Sequence, residues 1–393
     1  MKTARVLLPL LALIALVLPA QAADNLKEMF AQGSIKGQIR MMNYTRDFKN
    51  GKQDQQDSAL GGLLYYKTAA FKGLSLGAAF GTTNGIGDYD DKNFYYGITA
   101  PGHENVTRLQ EYYIEGNWFN TQIKLGAQEL CIPFMTTHDV RMIPRSFRGL
   151  SVVNKSVENL SLSGLYLTDN VGWIDEEWVS FTKDIYIVGA DYKLPITAVN
   201  TKVRAWYFDM PNSFNQSFFR VDFSKKINDF LLHGAPSYLK QDSQGNELDG
   251  ELDTYQNGAN LGVSAYGFDL TGFYAKTGDN SIKDDWGVQT KVIIQQVVTS
   301  GDALSGDRSD EKAYAARLAY DFGASGIKGL SAYVFYANYD APASTINETD
   351  FNVQYAFSGP LDGLGIRARY AIIDKDSGQE DFTDARFMLT YCF

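Results

Sequence analysis

Apolar and polar residues alternate along most of this chain with a period of two, which in a pleated ribbon sends successive side chains to opposite faces. The last residues show it plainly. In Asp384–Phe393, Ala385, Phe387, Leu389, Tyr391 and Phe393 alternate with Arg386, Met388, Thr390 and Cys392. Upstream, Phe351, Val353, Tyr355 and Phe357 alternate with Asp350, Asn352, Gln354 and Ala356, and Ile366, Ala368 and Tyr370 alternate with Arg367 and Arg369.

Such segments recur with connections that are short, then long, then short again. Ile35–Arg46 and Ala59–Phe71 flank the polar stretch Asp47 to Ser58, and Lys72-Gly73 turns tightly into Leu74–Thr82. Gly85 to Val106 is long, Phe119-Asn120 is tight between Arg108–Trp118 and Thr121–Leu130, and Cys131 to Phe147 is long again. Further strands are predicted at Gly149–Val157, Leu160–Thr168, Ile185–Lys193, Val199–Phe208, Ser217–Lys226, Asp229–Leu239, Thr254–Ala265 and Phe268–Thr277. After the long connection Gly278 to Asp310 come Lys312–Phe322, Leu330–Asp340, Asp350–Phe357, Leu364–Ile373 and Ala385–Phe393. The segment containing Pro236 is the least strand-like, because proline cannot donate to a ladder.

The count is about 18. An even number of alternating strands with short turns at one end and long loops at the other predicts an all-β fold, a transmembrane antiparallel β-barrel with short periplasmic turns, long external loops and both termini periplasmic. The apolar set should face lipid and the polar set a wet interior. A soluble β-sandwich also alternates, but it has no need of so many strands with arginine and glutamine opposite lipid-grade residues. Closure explains a chain that stops in mid-strand: the last strand pairs with the first and leaves no backbone edge open.

Composition sharpens this picture. The chain has 24 Tyr, 24 Phe and 36 Gly but only 10 Pro, spread without a linker or low-complexity break. Met1-Lys-Thr-Ala-Arg5, the apolar run Val6 to Leu18 and Ala20-Gln21-Ala22 form the three parts of a secretory signal peptide. The run is short for a membrane anchor. The expected organisation is therefore a signal peptide over 1–22 and one outer-membrane barrel over 23–393. No later segment approaches the ~18 apolar residues of a spanning helix.

The net charge of −10 becomes −12 once Lys2 and Arg5 are removed, which argues against nucleic acid as a partner. Cys131 and Cys392, the only cysteines, are expected at opposite ends of the barrel, out of disulfide reach of each other. His103, His138 and His233 lack the paired spacing of a zinc site, and no cofactor is indicated. The acidic runs Gly87–Asp91, Asn246–Asp253 and Asp374–Gly378 fall short of a complete calcium loop and read as solvated tips, against the alternative that they hold calcium or meet lipopolysaccharide through divalent ions.

Several stretches resemble the OprD-type porins, outer-membrane channels for small, mostly carboxylate-bearing solutes. They are IRMMNYTRDF (Ile39–Phe48), RMIPRSFRGLSVVNKSVENLSLSG (Arg141–Gly164), ELDTYQNGANLGVSAY (Glu251–Tyr266), EKAYAARLAYDFGASGIKGLSAYVFY (Glu311–Tyr336) and SGPLDGLGIRARY (Ser358–Tyr370), in order along nearly the whole chain. The resemblance implies that the Cys131–Phe147 loop folds inward as a constriction, that the Gly278–Asp310 loop helps narrow the pore, and that wall arginines form a basic ladder. Family members often carry arginine where this chain has Phe335, so its ladder should be thinner and more aromatic.

Strand parity directs Arg40, Lys124, Lys202, Arg204, Arg220, Arg317, Arg367, Arg369 and Arg386 toward the lumen. Arginine suits such a wall because its planar charged fork takes a carboxylate bidentately. The competing reading is that these cations balance luminal acids. At the constriction the candidates are Arg141, Arg145 and Arg148, with His138 and Asp139 nearby, against the alternative of a solvated loop. Phe393 reads either as a girdle aromatic or as the terminal signal by which the barrel assembly machinery recognises its clients.

The function expected is passive diffusion of small hydrophilic solutes, with preference for small carboxylates or other anions. The partners are those solutes, outer-membrane lipid, lipopolysaccharide and the assembly machinery, and the protein is a monomer or a trimer. A general non-selective porin and a surface barrel that binds a partner are the alternatives. A barrel hydrolase would need a nucleophile oriented by histidine, and no local signature supplies one.

Overall fold

The computed structural model describes residues 23–49, 51–87, 97–137, 140–283, 286, 290–291, 306–376 and 381–393. The strands are β1 (Ser34–Phe48), β2 (Gln55–Lys67), β3 (Leu74–Gly85), β4 (Val106–Trp118), β5 (Thr121–Gln128), β6 (Ser146–Asn154), β7 (Leu160–Val171), β8 (Val179–Lys193) and β9 (Asn200–Met210). They continue as β10 (Phe214–Ile227), β11 (Phe230–Ser243), β12 (Thr254–Ala265), β13 (Phe268–Thr277), β14 (Lys312–Asp321), β15 (Leu330–Ala341), β16 (Ser344–Ala356), β17 (Leu364–Lys375) and β18 (Phe382–Cys392). Each pairs antiparallel with its neighbours in sequence, and β1 also pairs with β18, so the 18-stranded sheet is closed.

The predicted alternation sets the two faces of the wall. On β1, Arg40, Met42, Tyr44 and Arg46 are buried toward the interior while Ile35 and Ile39 are exposed outward. On β18, Asp384, Arg386 and Met388 point in, and Phe387 and Tyr391 point out. The outer face carries exposed Leu64, Phe80, Ile114, Leu125, Val188, Phe219, Leu261, Val334 and Phe351, the surface of a protein whose solvent is hydrocarbon.

Turn chemistry gives the two ends of the barrel different characters. At one end Lys72-Gly73, Phe119-Asn120 and Tyr266-Gly267 each place both residues at positive φ, the mirror-image turn whose twist matches that of the flanking strands. Phe119 is 92% exposed there, and Trp118 beside it donates its indole N–H to the Lys72 carbonyl at 3.0 Å. The other end carries the long connections, including 86–105 and 129–145.

Two connections expected to be long are tight. Strands β9 and β10 are separated only by Pro211, Asn212 and Ser213, and β15 and β16 only by Pro342 and Ala343. Thr345, Asn347 and Thr349 read as loop because they are polar, yet they occupy outward positions of a strand whose inward Ile346 and Glu348 are buried. The alternation continues beyond the apolar belt, and polarity by itself does not end a strand.

Pro236 lies within β11 and is exposed. The β10–β11 register pairs Arg220 with Ser237 and then Phe223 with Gly234, leaving Pro236 without a partner on that side while it pairs with Ala259 on the other. The missing N–H thus falls where the ladder is already interrupted. Strand β8 also begins earlier than expected: its register with β7 jumps from Leu167↔Ile185 to Asp169↔Ser180, so that residues 181–184 bulge from the ladder. A short helix, α1 (Leu26–Ala31), capped by Asn25, precedes β1.

The closing seam is the tightest constraint on the chain. Residues Gln38 to Phe48 of β1 pair with Cys392 to Phe382 of β18, and Gly37 and Phe393 exchange backbone hydrogen bonds of 2.9 and 3.0 Å. A Cβ on Gly37 would stand 2.7 Å from the Phe393 ring, so the last side chain seats over a glycine. Inside the seam Asp384 is fully buried and shared by Arg46 at 3.1 Å and Arg386 at 2.5 Å.

Asp384→Ala removes the carboxylate that both guanidinium groups share and should destabilise the barrel by about 3–5 kcal/mol. The exposed Lys49–Asp374 pair provides the control, with Lys49→Ala staying within about 1 kcal/mol of the parent. The denaturant midpoint and the temperature at which the folded band is lost on a gel report both.

Candidate pore constriction

The connection between β5 and β6 crosses the interior because its sequence divides into two halves with different needs. Its first half is apolar, and Leu130, Phe134 and Met135 are buried against the inward faces of β7 to β11. The Phe134 ring lies 5.7 Å from Phe208 and 6.4 Å from Phe218, and the Thr136 amide donates to the Trp286 carbonyl at 2.8 Å. Burying this run removes it from water at the loop end of the barrel.

The second half is held at its backbone carbonyls by the opposite wall. Tyr44 donates its hydroxyl to the Val140 carbonyl at 2.7 Å, and Arg40 Nη1 donates to that of Arg141 at 2.7 Å. Arg108 Nη2 and Gln110 Nε2 donate to the Pro144 carbonyl at 2.6 and 2.9 Å. Carbonyls in an inward-folded loop require donors, and the wall supplies them from charged side chains. One loop is thus fastened to β9 and β10 on one side and to β1 and β4 on the other.

Among the sequence candidates, Arg141 and Arg145 come together on an aromatic ring. Their guanidinium carbons lie 5.2 and 4.0 Å from the Trp173 ring, and Arg141 also lies 5.3 Å from the Tyr44 ring. Gly97 makes room for this: a Cβ there would stand 2.9 Å from Arg141 Nε. Arg148, on β6, turns to other partners, namely Asp169 at 2.7 Å, the Tyr112 hydroxyl at 3.2 Å and the Trp178 ring at 5.3 Å. His138 and Asp139 lie outside the described residues.

All nine proposed ladder cations occupy inward positions of their strands, but their partners divide them. Lys124 lies 3.8 Å from Glu115, Lys202 2.6 Å from Asp191, and Arg204 and Arg220 3.2 and 2.8 Å from Asp222. Arg317 is 3.3 Å from Asp269 and Arg386 2.5 Å from Asp384. Arg40 donates to Thr390 and Gln38 as well as to the loop. Arg367 donates to Asn352 at 2.7 Å, and Arg369 makes no hydrogen bond or ion pair with a described residue.

Register brings these last cations together. Arg369 stands opposite Arg386 and Arg386 opposite Tyr44, while Arg367 stands opposite Met388 and Arg40 opposite Thr390. The inner face of β17, β18 and β1 therefore concentrates four guanidinium groups, two of which lack any carboxylate partner among the described residues. Phe335, buried and facing inward, stands directly opposite both Arg317 and Asp350, and Asp350 makes no salt bridge.

Sequence reasoning missed Arg108, which is buried and donates to the carbonyls of Gly172, Pro144 and Asp175. The alternation of Val106, Arg108 and Gln110 on β4 was the signal for it. The two described histidines are held by acids, His103 at 3.1 Å from Asp57 and His233 at 2.8 Å from Asp269. The nearby hydroxyls of Thr99 and Ser264 donate to those same carboxylates, so neither constellation presents a nucleophile to a histidine base. Among the acidic loop residues, Asp249 and Asp374 pair with Lys283 and Lys49 at 3.1 Å each, and Asp253 and Asp376 accept backbone N–H groups. Residues 88–91 of the first acidic run and 377–378 of the last lie outside the described residues, as does most of the Gly278–Asp310 loop.

Comparison with known proteins agrees with this geometry. The porin-like protein GalP of Pseudomonas putida is 22% identical over 287 residues, which cover 69% of this chain and 68% of that one. The crystal structure of OccK9 (OpdG) from Pseudomonas aeruginosa superposes with a TM-score of 0.82 at 22% identity, covering 93% of this chain and 99% of that one. That of OpdK from Pseudomonas aeruginosa, solved with vanillate, gives a TM-score of 0.77 at 19% identity over 92% of this chain and 98% of that one. The sequence pattern of the outer membrane porin, OprD family, matches residues 114–393. With most of its length matched, its barrel closed and its lumen crossed by an inward loop, the chain belongs to the OprD family of outer-membrane porins, passive channels for small solutes and not enzymes.

Proposed function

We propose that this porin favours small carboxylates and other small anions among the solutes it passes. The observation that carries this reading is the row on β17, β18 and β1 in which Arg367 and Arg369 make no ion pair with a described residue, with Arg386 and Arg40 beside them and Asp384 and the buried Asp350 as the acids whose fields reach it. A paired cation has its field largely cancelled at a distance, whereas an unpaired one draws anions into a confined lumen. The half-buried Trp173 ring, over which Arg141 and Arg145 lie, offers an apolar ring a neighbour while its carboxylate meets a guanidinium. Vanillate, with which the similar OpdK was crystallised, is an aromatic carboxylate.

A non-selective porin is the second reading, favoured by the six ladder cations that do pair with acids. The two readings separate on whether charge is balanced at the narrowest place or only elsewhere along the wall.

The remaining parts of the proposal concern orientation and export. Residues 1–22 are a signal peptide cleaved after Ala22, the short-turn end and both termini face the periplasm, and Phe393 serves as the recognition signal for assembly. The seating of Phe393 over Gly37 at the seam is consistent with both a structural and a recognition role for that ring.

Reversal potentials in a salt gradient across planar bilayers test the selectivity. Arg369→Ala and Arg367→Ala should each lower the anion-to-cation permeability ratio by roughly fivefold, the effect of about 1 kcal/mol from one charge at ~4 Å in a watery pore. Arg220→Ala, which removes one of two cations already sharing Asp222, should change it by less than about twofold. Equal ratios in all of these variants would favour the non-selective channel.

Phe335→Arg places a cation directly opposite Asp350. The same recordings should show the anion preference rising by roughly twofold to fivefold, since the buried acid in the arginine row would then be paired. An unchanged ratio would show that Asp350 does not act on passing ions.

A further inference from the structure

We infer that the N-terminal helix α1 is an interfacial lipid anchor, which holds the short-turn end of the barrel at a phospholipid surface through Leu26 and Phe30. The first support is where the helix sits. Met29, its buried residue, packs with Ala23, Ala69, Phe71 and Leu76. Leu76 is on the outward face of β3, paired with the outward and exposed Ile114 of β4, while the buried Ser75 and Gly77 beside it point in. The Tyr66 hydroxyl donates to the Phe30 carbonyl at 2.6 Å, and Tyr66 shares the outward parity of Leu64 and Leu60 on β2. A Cβ on Gly33 would stand 2.5 Å from that same hydroxyl oxygen. The helix therefore lies against the outside of the wall, beneath β2 and β3, and not under the lumen.

The second support is the face it leaves uncovered. At 100° per residue Leu26, Met29 and Phe30 form one apolar stripe, and only Met29 is covered. Leu26 is 62% exposed and Phe30 52%, whereas Lys27, Ala31 and Gln32 occupy the other side. The uncovered stripe lies next to the lipid-facing wall: Ile35, 64% exposed on the outward face of β1, follows Phe30 by five residues and pairs with Tyr66, whose hydroxyl holds the Phe30 carbonyl. Adjacency to a surface already in hydrocarbon identifies the occupant. A short helix with one greasy stripe and one polar side, fixed at the rim of an apolar cylinder, meets the boundary between headgroups and acyl chains.

The anchor needs little of its own stability. Six residues are too few to hold a helix in water, but Asn25 caps its first turn by accepting from the Glu28 amide at 3.0 Å, and Ala23 and Ala69 pair their backbones with Ala70 and Met29 at 2.9 Å. The barrel thus presents the helix ready formed, so that lipid contact does not have to pay for folding it.

The test places a fluorescent label at Phe30→Cys, or at Ala31→Cys as the control, in the full chain carrying Cys131→Ser and Cys392→Ser. The labelled porin is refolded into phosphatidylethanolamine and phosphatidylglycerol vesicles containing a headgroup nitroxide lipid. Iodide quenching should be roughly fivefold weaker at residue 30 than at residue 31, and the nitroxide lipid should quench residue 30 more strongly. Equal iodide access at the two positions overturns the inference, as does a residue 30 shielded from iodide and nitroxide alike, which would mean a protein contact. A label-free measurement is independent of the cysteine background: in Leu26→Ser with Phe30→Ser, amide exchange over residues 24–33 in vesicles should accelerate by about tenfold or more, and unchanged exchange overturns it.

Discussion

A chain in hydrocarbon has no water with which to satisfy its backbone, and everything else in this molecule follows from that requirement. Each N–H and C=O in the wall must find a neighbouring strand, so the sheet has to close and the final strand must meet the first. The seam between β1 and β18 extends from Gln38↔Cys392 to Phe48↔Phe382 and is finished by the mutual hydrogen bonds of Gly37 and Phe393. Closure fixes register, and register fixes which residues share a row on the inner face. The neighbourhood of Arg369, Arg386 and Tyr44 is a product of strand pairing, between segments far apart in sequence.

The inner wall uses its charges for two purposes. Arg40 and Arg108 hold carbonyls of the crossing loop, and most of the remaining cations are matched by acids two residues away or on an adjacent strand. This is the ordinary condition of a wet interior in which like charges would repel across a narrow space. The departure from it is local, at Arg367 and Arg369, and a local imbalance in a pore matters more than the net charge of −10 carried by the chain as a whole.

Much of the architecture was legible from period alone. Alternation in Asp384–Phe393 and Leu364–Ile373 gave both the strands and their facing, because inside and outside differ in solvent and a one-residue slip would exchange them. Strand ends were less legible. Beyond the apolar belt both faces of β16 become polar, and Thr345 and Asn347 look like loop until the buried Ile346 and Glu348 reveal the pleat. Partnership was only partly legible. Arg220 and Asp222 are two residues apart on one strand, but Arg204 meets Asp222 only through register, and parity alone does not separate it from Arg369, which makes no ion pair with a described residue. The helix α1 was missed because six residues with one apolar stripe make no periodic signal of useful length.

The loop that joins β5 to β6 has a mechanical meaning as well. A hollow cylinder of strands is stiff along its hydrogen bonds but yields readily when squeezed out of round, and lateral pressure in a bilayer squeezes continually. A brace glued at Phe208 and Phe218 on one side and tied to Arg40, Tyr44 and Arg108 on the other works like a spoke across a hoop. Those ties join two facing stretches of wall through one segment of chain at the level where it crosses.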